Sequence, residues 1–304
     1  MERKKVIVVG ATGSLGTKIA KELLATGANV TAMVRTTSNR SKLESLGVKN
    51  FVIGDMLDKT SLENALGETD FDAIVSSAAG YTRHTKGDNP NVDTIGYRNL
   101  VDATKNAGIP RFVLISILES DKAVNVPHFY NKFLTEQYLR EKEQPFIALR
   151  PGAFFDWNDK MMINKIRKGK MNLFFYGVDY GTINTSDLAR YVAMAATVVP
   201  DTELNSTVDV GWSTPVNNSL VENAFKTVLN KPFKVKPIMP IFVFKILAPV
   251  LSLNSAMKDL VEMINWVKTG DYVSKNTQKQ QELFGDLPTI EEGVKRYCKQ
   301  TGII

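Results

Sequence analysis

Thiols and imidazoles are almost missing from this chain: among 304 residues there is one cysteine, Cys298, and two histidines, His84 and His128. A single cysteine excludes an intrachain disulfide and a thiolate cluster, and two histidines put a histidine-rich metal centre out of reach, so no metal site is expected. Charge of one sign does not dominate either. Lys and Arg number 38 against 32 Asp and Glu, a net charge of +6. A surplus this small and dispersed suits a phosphate-bearing ligand and argues against a nucleic-acid partner. Long apolar runs are absent too. The most apolar stretch, Pro237 to Leu253, is broken by Pro240, Lys245 and Pro249. It falls short of the roughly twenty apolar residues a spanning helix needs, so no integral membrane segment is expected. No secretory-type apolar segment precedes the first strand pattern, which points to the cytoplasm, or to an organelle lumen if a transit peptide is missing from the chain.

What is present begins at once. Val6-Ile-Val-Val9 is β-branched throughout and reads as a strand buried on both faces. Gly10-Ala-Thr12-Gly13-Ser14-Leu15-Gly16 follows, then a helical pattern of Ile19, Ala20, Leu23 and Leu24 that stops at Gly27. Gly10 permits a tight turn, Gly13 lets the backbone approach a phosphate, and Gly16 lets the helix pack close to the strand. The helix N-terminus supplies unpaired N–H groups and a partial positive charge. The stretch is therefore either a pyrophosphate cradle, with Thr12, Ser14 and Leu15 sharing the contact, or an ordinary strand-to-helix turn.

A second strand, Val30 to Val34, ends on Arg35. An acid at this place accepts hydrogen bonds from an adenosine ribose, whereas an arginine pairs with a 2′-phosphate, so NADP(H) is favoured over NAD(H). The alternative is a solvated surface arginine. Thr36, Thr37, Ser38 and Arg40 can add donors. Lys42 to Leu46 reads as a short helix and Val48 to Ile53 as a third strand, closing on Gly54-Asp55-Met56. Asp55 bonds an adenine amino group or caps the helix that begins near Lys59, and the two roles are compatible. A fourth strand, Phe71 to Ser77, leads into Ser77-Ala78-Ala79-Gly80, small residues that let the chain pass under the nicotinamide half of a dinucleotide. A helix from Thr94 to Ala107 and strands at Arg111 to Ile117 and Phe146 to Arg150 complete the series. Such alternation predicts an α/β fold with a doubly wound parallel (Rossmann) sheet and a ligand across the carboxyl ends of its strands.

Together Gly10-Ala-Thr-Gly13-Ser-Leu-Gly16, Gly54-Asp55, the run Asn99 to Ser116, and Leu149-Arg150-Pro151-Gly152 resemble the atypical short-chain dehydrogenase/reductases. Within them the chain is most similar to the nitrogen-metabolite-repressor-like and isoflavone-reductase-like group, most strongly from Lys5 to Phe155. The resemblance implies an NADPH-binding sheet and, in the group's enzymes, hydride transfer to a small organic acceptor. It also implies a second possibility, because some relatives bind the dinucleotide as redox sensors and others assist assembly of photosynthetic complexes. The stretch Ser116 to Pro127, with Lys132, is similar to that assembly branch.

In typical short-chain reductases a Tyr lies four residues before a Lys, and a Ser ends the fifth strand. Here Lys132 is kept, His128 stands at the tyrosine place, and Ile117 stands at the serine place with Ser116 just before it. Pro127 suits the first position of a helix, which puts His128 and Lys132 one turn apart on one face. Lys132 would bond the nicotinamide ribose and lower the pKa of a neighbouring donor by its charge. His128 donates a proton or merely bonds nearby backbone; Tyr130 or Lys132 itself is the fallback donor. Ser116 is counted with the cofactor site.

Pro151-Gly152-Ala-Phe154-Phe155-Asp-Trp157 leaves the sixth strand and is expected to run along the cofactor, with Pro151, Gly152 and Phe154 touching it. Phe155 and Trp157, with Tyr81, wall a substrate pocket or are simple core. Beyond lie a strand region from Phe174 to Ile183, a helix from Leu188 to Val199 that packs back on the Rossmann unit in relatives, a strand at Val208 to Val210 and a helix from Asn218 to Leu229. Pro237 to Leu253 reads as a lid or wall over the pocket, or else as a surface for a membrane or partner. No linker separates the halves, so residues 1–157 form the Rossmann domain and 158–304 a smaller interleaved substrate lobe. The reading is an NADPH-dependent reductase of a small, largely apolar carbonyl or conjugated compound, as a monomer or homodimer. The competing class is a non-catalytic NADP(H)-binding sensor or complex-assembly factor.

Overall fold

The β-branched runs form strands, and the glycines between them end helices and turn the chain. The computed structural model describes residues 3–67, 70–80, 89–156, 160–239 and 241–304. The substrate contacts expected of Tyr81 and Trp157 lie outside the described residues.

In chain order the elements begin with β1 (Lys5–Val9), α1 (Ser14–Ala25), β2 (Asn29–Val34), α2 (Ser41–Ser45), β3 (Asn50–Ile53), α3 (Lys59–Leu66) and β4 (Ala73–Ser76). After a 3-10 turn at Pro90–Asp93 come α4 (Ile95–Asn106), β5 (Phe112–Ile115), α5 (Pro127–Glu141), β6 (Phe146–Pro151), β7 (Ala153–Phe154), α6 (Lys160–Arg167), β8 (Lys170–Leu173) and β9 (Thr182–Ile183). Next are α7 (Thr185–Thr197), β10 (Ser206–Val210), α8 (Asn218–Leu229), β11 (Lys234–Pro237), α9 (Ile241–Leu251), α10 (Ser255–Val267), α11 (Gln278–Phe284) and α12 (Ile290–Gln300).

The chain forms two compact units. The first comprises Met1–Ser120, His128–Arg150 and Thr185–Val208; the second comprises Asp121–Pro127, Pro151–Asn184 and Asp209–Ile304.

The first unit is built on the sheet β10-β6-β5-β4-β1-β2-β3. Strands β1 to β6 pair in parallel. The chain steps outward from β1 to β3, then returns past β1 to β4 and winds the other way. The reversal puts the topological switch point between β1 and β4, where open α/β sheets hold their ligands. Val6, Ile7, Val8, Ile74, Val75, Val113 and Leu114 expose no surface, as strands covered on both faces must. Leu62 and Leu66 of α3, Tyr97 and Leu100 of α4, and Leu139 of α5 share one core cluster with these strands. Helices α1 and α7 pack together, and α7 also lies on β4 and β5, burying Leu188, Tyr191 and Val192. This is the packing that the family resemblance implied for that helix.

The second unit carries two short parallel pairs, β7 with β9 and β8 with β11. Phe155, Trp212, Phe225, Phe233 and Tyr297 form its aromatic centre, with Phe225 and Phe233 stacked 4.4 Å apart. The strand expected from Phe174 to Ile183 is instead broken. β8 stops at Leu173 and β9 is Thr182–Ile183, because Gly177, at φ +83°, turns the chain between them and is held by the Asn218 side chain at 3.2 Å.

Candidate functional site

The turn after β1 owes its shape to missing Cβ atoms. Gly10 sits at φ +78°, and a Cβ on it would lie 2.8 Å from the Ala78 nitrogen. A Cβ on Gly16 would fall 2.1 Å from the Gly10 oxygen, so the first turn of α1 lies directly against the strand's end. The Gly13 N–H donates to the Gly10 carbonyl at 3.0 Å, and the Thr17 hydroxyl braces the turn by donating to the Gly13 carbonyl at 2.8 Å. Gly13 is the N-cap of α1. It offers no side chain to the helix's leading N–H groups, and the first turn holds no acid. Thr12, Gly13 and Ser14 are exposed and Leu15 is half-buried. An uncapped helix start with a backbone cradle and no nearby carboxylate fits the pyrophosphate of a dinucleotide.

Arg35 is exposed just past β2. Its N–H donates to the Ser38 hydroxyl at 3.1 Å, and the Ser38 N–H donates back to the Arg35 carbonyl at 2.9 Å. Ser38 therefore fixes the backbone from which the guanidinium projects. The Arg40 guanidinium lies over Phe51, 5.4 Å from the ring centre. Asp55 does not cap α3: its carboxylate accepts from the Leu57 N–H at 2.9 Å, whereas Asp58 accepts from the Ser61 N–H at 3.0 Å and is the cap. The reason is spacing, since Asp58 alone directly precedes the helix. Met56 turns its side chain into the core, and its carbonyl accepts from Asn99 at 3.0 Å.

Opposite the glycine turn, the Ser77 N–H donates to the Val9 carbonyl at 3.0 Å, which seats Ser77-Ala78-Ala79 at the switch point. Lys132 reaches this segment from α5. Its ammonium donates to the Ala78 carbonyl at 3.0 Å, pairs with Asp93 at 3.1 Å and lies 4.0 Å above the centre of the Tyr97 ring. The Tyr97 hydroxyl donates to the same Ala78 carbonyl at 2.7 Å and accepts from Ser76 at 3.1 Å; the other Asp93 oxygen accepts from the Gly80 N–H at 2.8 Å. Burial by itself would push the Lys132 pKa down, but Tyr97 and Asp93 together outweigh it and raise the pKa above the ordinary lysine value. Lys132 is thus a fixed positive charge clamping the turn. Pro127 opens α5 as expected, with His128 half-buried edge-on to Phe129 and Tyr130 beside Phe133.

Ser116 is buried and donates to Glu136 at 2.6 Å, and the Arg150 Nε meets the same carboxylate at 2.9 Å. Its hydroxyl is thus engaged within the first unit. Sequence reasoning missed Asp93, Tyr97 and Glu136. Asp93 and Glu136 could have been found only by asking which acids would accompany a lysine and an arginine read as buried. In the second unit Pro151 and Gly152 are buried, and a Cβ on Gly152 would lie 2.3 Å from the Gly181 carbonyl. Phe154 is exposed, while Phe155 is core among Trp212, Phe225 and Tyr297.

A parallel sheet wound both ways from β1, with an uncapped glycine turn at its switch point, defines a dinucleotide-binding α/β protein. The chain belongs to the NAD(P)H-binding family, whose pattern matches residues 10–197. Among curated relatives, the Photosystem II assembly factor Ycf39 of Cyanophora paradoxa is 32% identical over 150 residues, 49% of this chain and 46% of that one. The chloroplastic divinyl chlorophyllide a 8-vinyl-reductase of Cucumis sativus is 27% identical over 279 residues, 84% of this chain and 65% of that one. The chain spans about half the length of three of the Ycf39 relatives it matches and three quarters of a fourth. Among solved structures, the triphenylmethane reductase of Citrobacter sp. complexed with NADP(H) superposes with a TM-score of 0.76 at 19% identity, covering 96% of this chain and 99% of that one. The fold is therefore the one that this reductase has. Among the described residues no helix is long and apolar enough to cross a membrane.

Proposed function

We propose that the protein is an NADPH-dependent reductase of a small, largely apolar carbonyl or conjugated compound, working in the cytoplasm or an organelle lumen. The observation that carries the reading is the uncapped turn at Gly10–Gly16, facing a segment that Lys132 holds in place. Gly10, Thr12, Gly13, Ser14, Leu15 and Gly16 would bind the pyrophosphate, and Arg35 the 2′-phosphate. Asp55 and Met56 would border the adenine, and Ser77, Ala78 and Ala79 the rest of the cofactor. When bound, the nicotinamide supplies the hydride. Lys132, Tyr97 and Asp93 fix the carbonyl of Ala78 and the N–H of Gly80, so the backbone beneath the cofactor needs no reorganisation. Lys132 keeps its proton. His128, one turn earlier, is the proposed proton donor and Tyr130 the fallback.

The reading is tested by mixing purified protein and NADPH with a panel of quinones, enals and aldehydes and following NADPH oxidation. Turnover that disappears in His128→Phe, with NADPH binding intact, supports the assignment. Unchanged turnover in that variant removes His128 from the mechanism. Arg35→Ser should weaken NADPH binding about tenfold and leave NADH binding unchanged, measured by titration calorimetry.

A second reading has its own support. His128 and Ile117 replace the usual tyrosine and serine, the Lys132 ammonium is engaged with Asp93 and Ala78, and one relative is named an assembly factor. A protein that binds NADPH tightly yet oxidises none of it across the whole panel would be the sensor or assembly factor of this second reading.

A further inference from the structure

The three most exposed large apolar side chains among the described residues are Leu253 at 87%, Ile246 at 70% and Val250 at 64%. Their spacing, four and then three residues, puts them on one stripe of α9 and its C-terminal extension. Leu247 and Ile238 add to the same exposed stretch, while Phe244, Ala248 and Leu251 occupy the opposite stripe and α9 packs against α10. Natural surfaces scatter single apolar residues, and an apolar concentration of this kind marks a place that something covers.

The charge around α9 says what covers it. α9 itself carries Lys245 and no acid, and α10, packed against it, carries Lys258 with Asp259, which is buried, and Glu262. Lys268, just past α10, stands over the Phe244 ring at 4.6 Å. Partial burial and the nearby charge of Lys245 both push its pKa below the ordinary lysine value. Lys245 and Lys268 set two cations beside the apolar stripe, which makes it complementary to an apolar phase with an anionic rim. Two copies of this chain would bring like charges together, which opposes self-association through this face. A specific protein groove would need polar groups to fix an orientation, and the stripe offers none besides Lys245.

We infer that α9 is a docking helix for an anionic lipid bilayer, lying in the headgroup layer with Ile246, Val250 and Leu253 dipped toward the acyl chains and the lysines against lipid phosphates. At about 1.5 Å per residue the helix is about 16 Å long, half the thickness of a hydrocarbon core, so it lies on the membrane rather than through it. The lysine stems cover apolar surface while their ammonium groups stay in the headgroup region. The inference is independent of the cofactor reading.

The test is co-sedimentation of the full chain with phosphatidylcholine vesicles, with and without phosphatidylglycerol. Binding is expected to the anionic vesicles, to weaken with added salt, and to fall more than about tenfold in the triple variant Ile246→Ser/Val250→Ser/Leu253→Ser. Val198→Ser, which removes another exposed side chain remote in sequence, should bind as the parent does. Because all three substituted side chains are exposed, the triple variant should melt with the parent, and a matching melting curve shows that lost binding is not lost folding. Absence of binding to anionic vesicles overturns the inference, as does equal binding by a folded triple variant. A dimer dispersed by the triple variant, in a protein that ignores vesicles, would reassign the face to a second copy and also overturn it.

Discussion

Gly13 separates two jobs that the glycine turn combines. A Cβ at Gly16 would lie 2.1 Å from the Gly10 oxygen, so substitution there breaks the fold itself. At Gly13 the nearest atom to a Cβ is 3.2 Å away and φ is −69°, so alanine fits with only a small adjustment. Gly13→Ala should therefore leave the melting temperature within a few degrees of the parent and still weaken NADPH binding, because the added methyl stands where the pyrophosphate would approach. Arg150 is a sharper stability site. Removing its guanidinium leaves the fully buried Glu136 without its cation, and Arg150→Ala should lower unfolding free energy by about 3–5 kcal/mol in urea titrations. Lys132 gives a pH prediction. Its pKa is raised in the folded protein, so its contribution to stability is fully present below the unfolded value of about 10.4 and is lost only as pH rises beyond that. Unfolding free energies measured between neutrality and mild alkali should carry no slope from this group.

At the scale of elements, legibility followed locality. The helix Asn218–Leu229 was readable to the residue because its N-cap, Asn217, accepts from the N–H groups of both Ser219 and Leu220, and because its apolar period is unbroken. The strands β1, β4, β5 and β6 were readable because strands buried on both faces are continuous apolar runs. The expected strand at Phe174–Ile183 misled because aromatic and β-branched residues there belong to a turn region whose Phe175 packs on Tyr180 and Tyr272. Within the site, the glycine turn could be read from seven consecutive residues, whereas the clamp on Ala78 could not. Asp93, Tyr97 and Lys132 come from a 3-10 turn and two different helices, and only the folded sheet brings Tyr97 and Lys132 to the Ala78 carbonyl and Asp93 to Lys132 and the Gly80 N–H. The cap of α3 offers a local test: Asp58→Ala should cost about 1 kcal/mol, while Asp55→Ala, which frees only the Leu57 N–H, should cost less.

On the scale of the whole molecule, the first unit is drawn from three separate stretches of chain, and its third, Thr185–Val208, comes after a long excursion into the second. Helix α7 belongs to that third stretch and covers α1, β4 and β5. A fragment ending at residue 157 would keep the glycine turn and lose this cover. It should expose the apolar surfaces against which Leu188, Tyr191 and Val192 now pack, and should lack a cooperative melting transition by circular dichroism. The junction at Gly80 works in the opposite sense. The Asn89 N–H donates to the Gly80 carbonyl at 3.0 Å, and Asp93 holds the Gly80 N–H at 2.8 Å, so the chain departs and returns through a single doorway. A Cβ on Gly80 would fall 2.1 Å from the Asn89 oxygen, so this doorway latches only because the position carries no side chain.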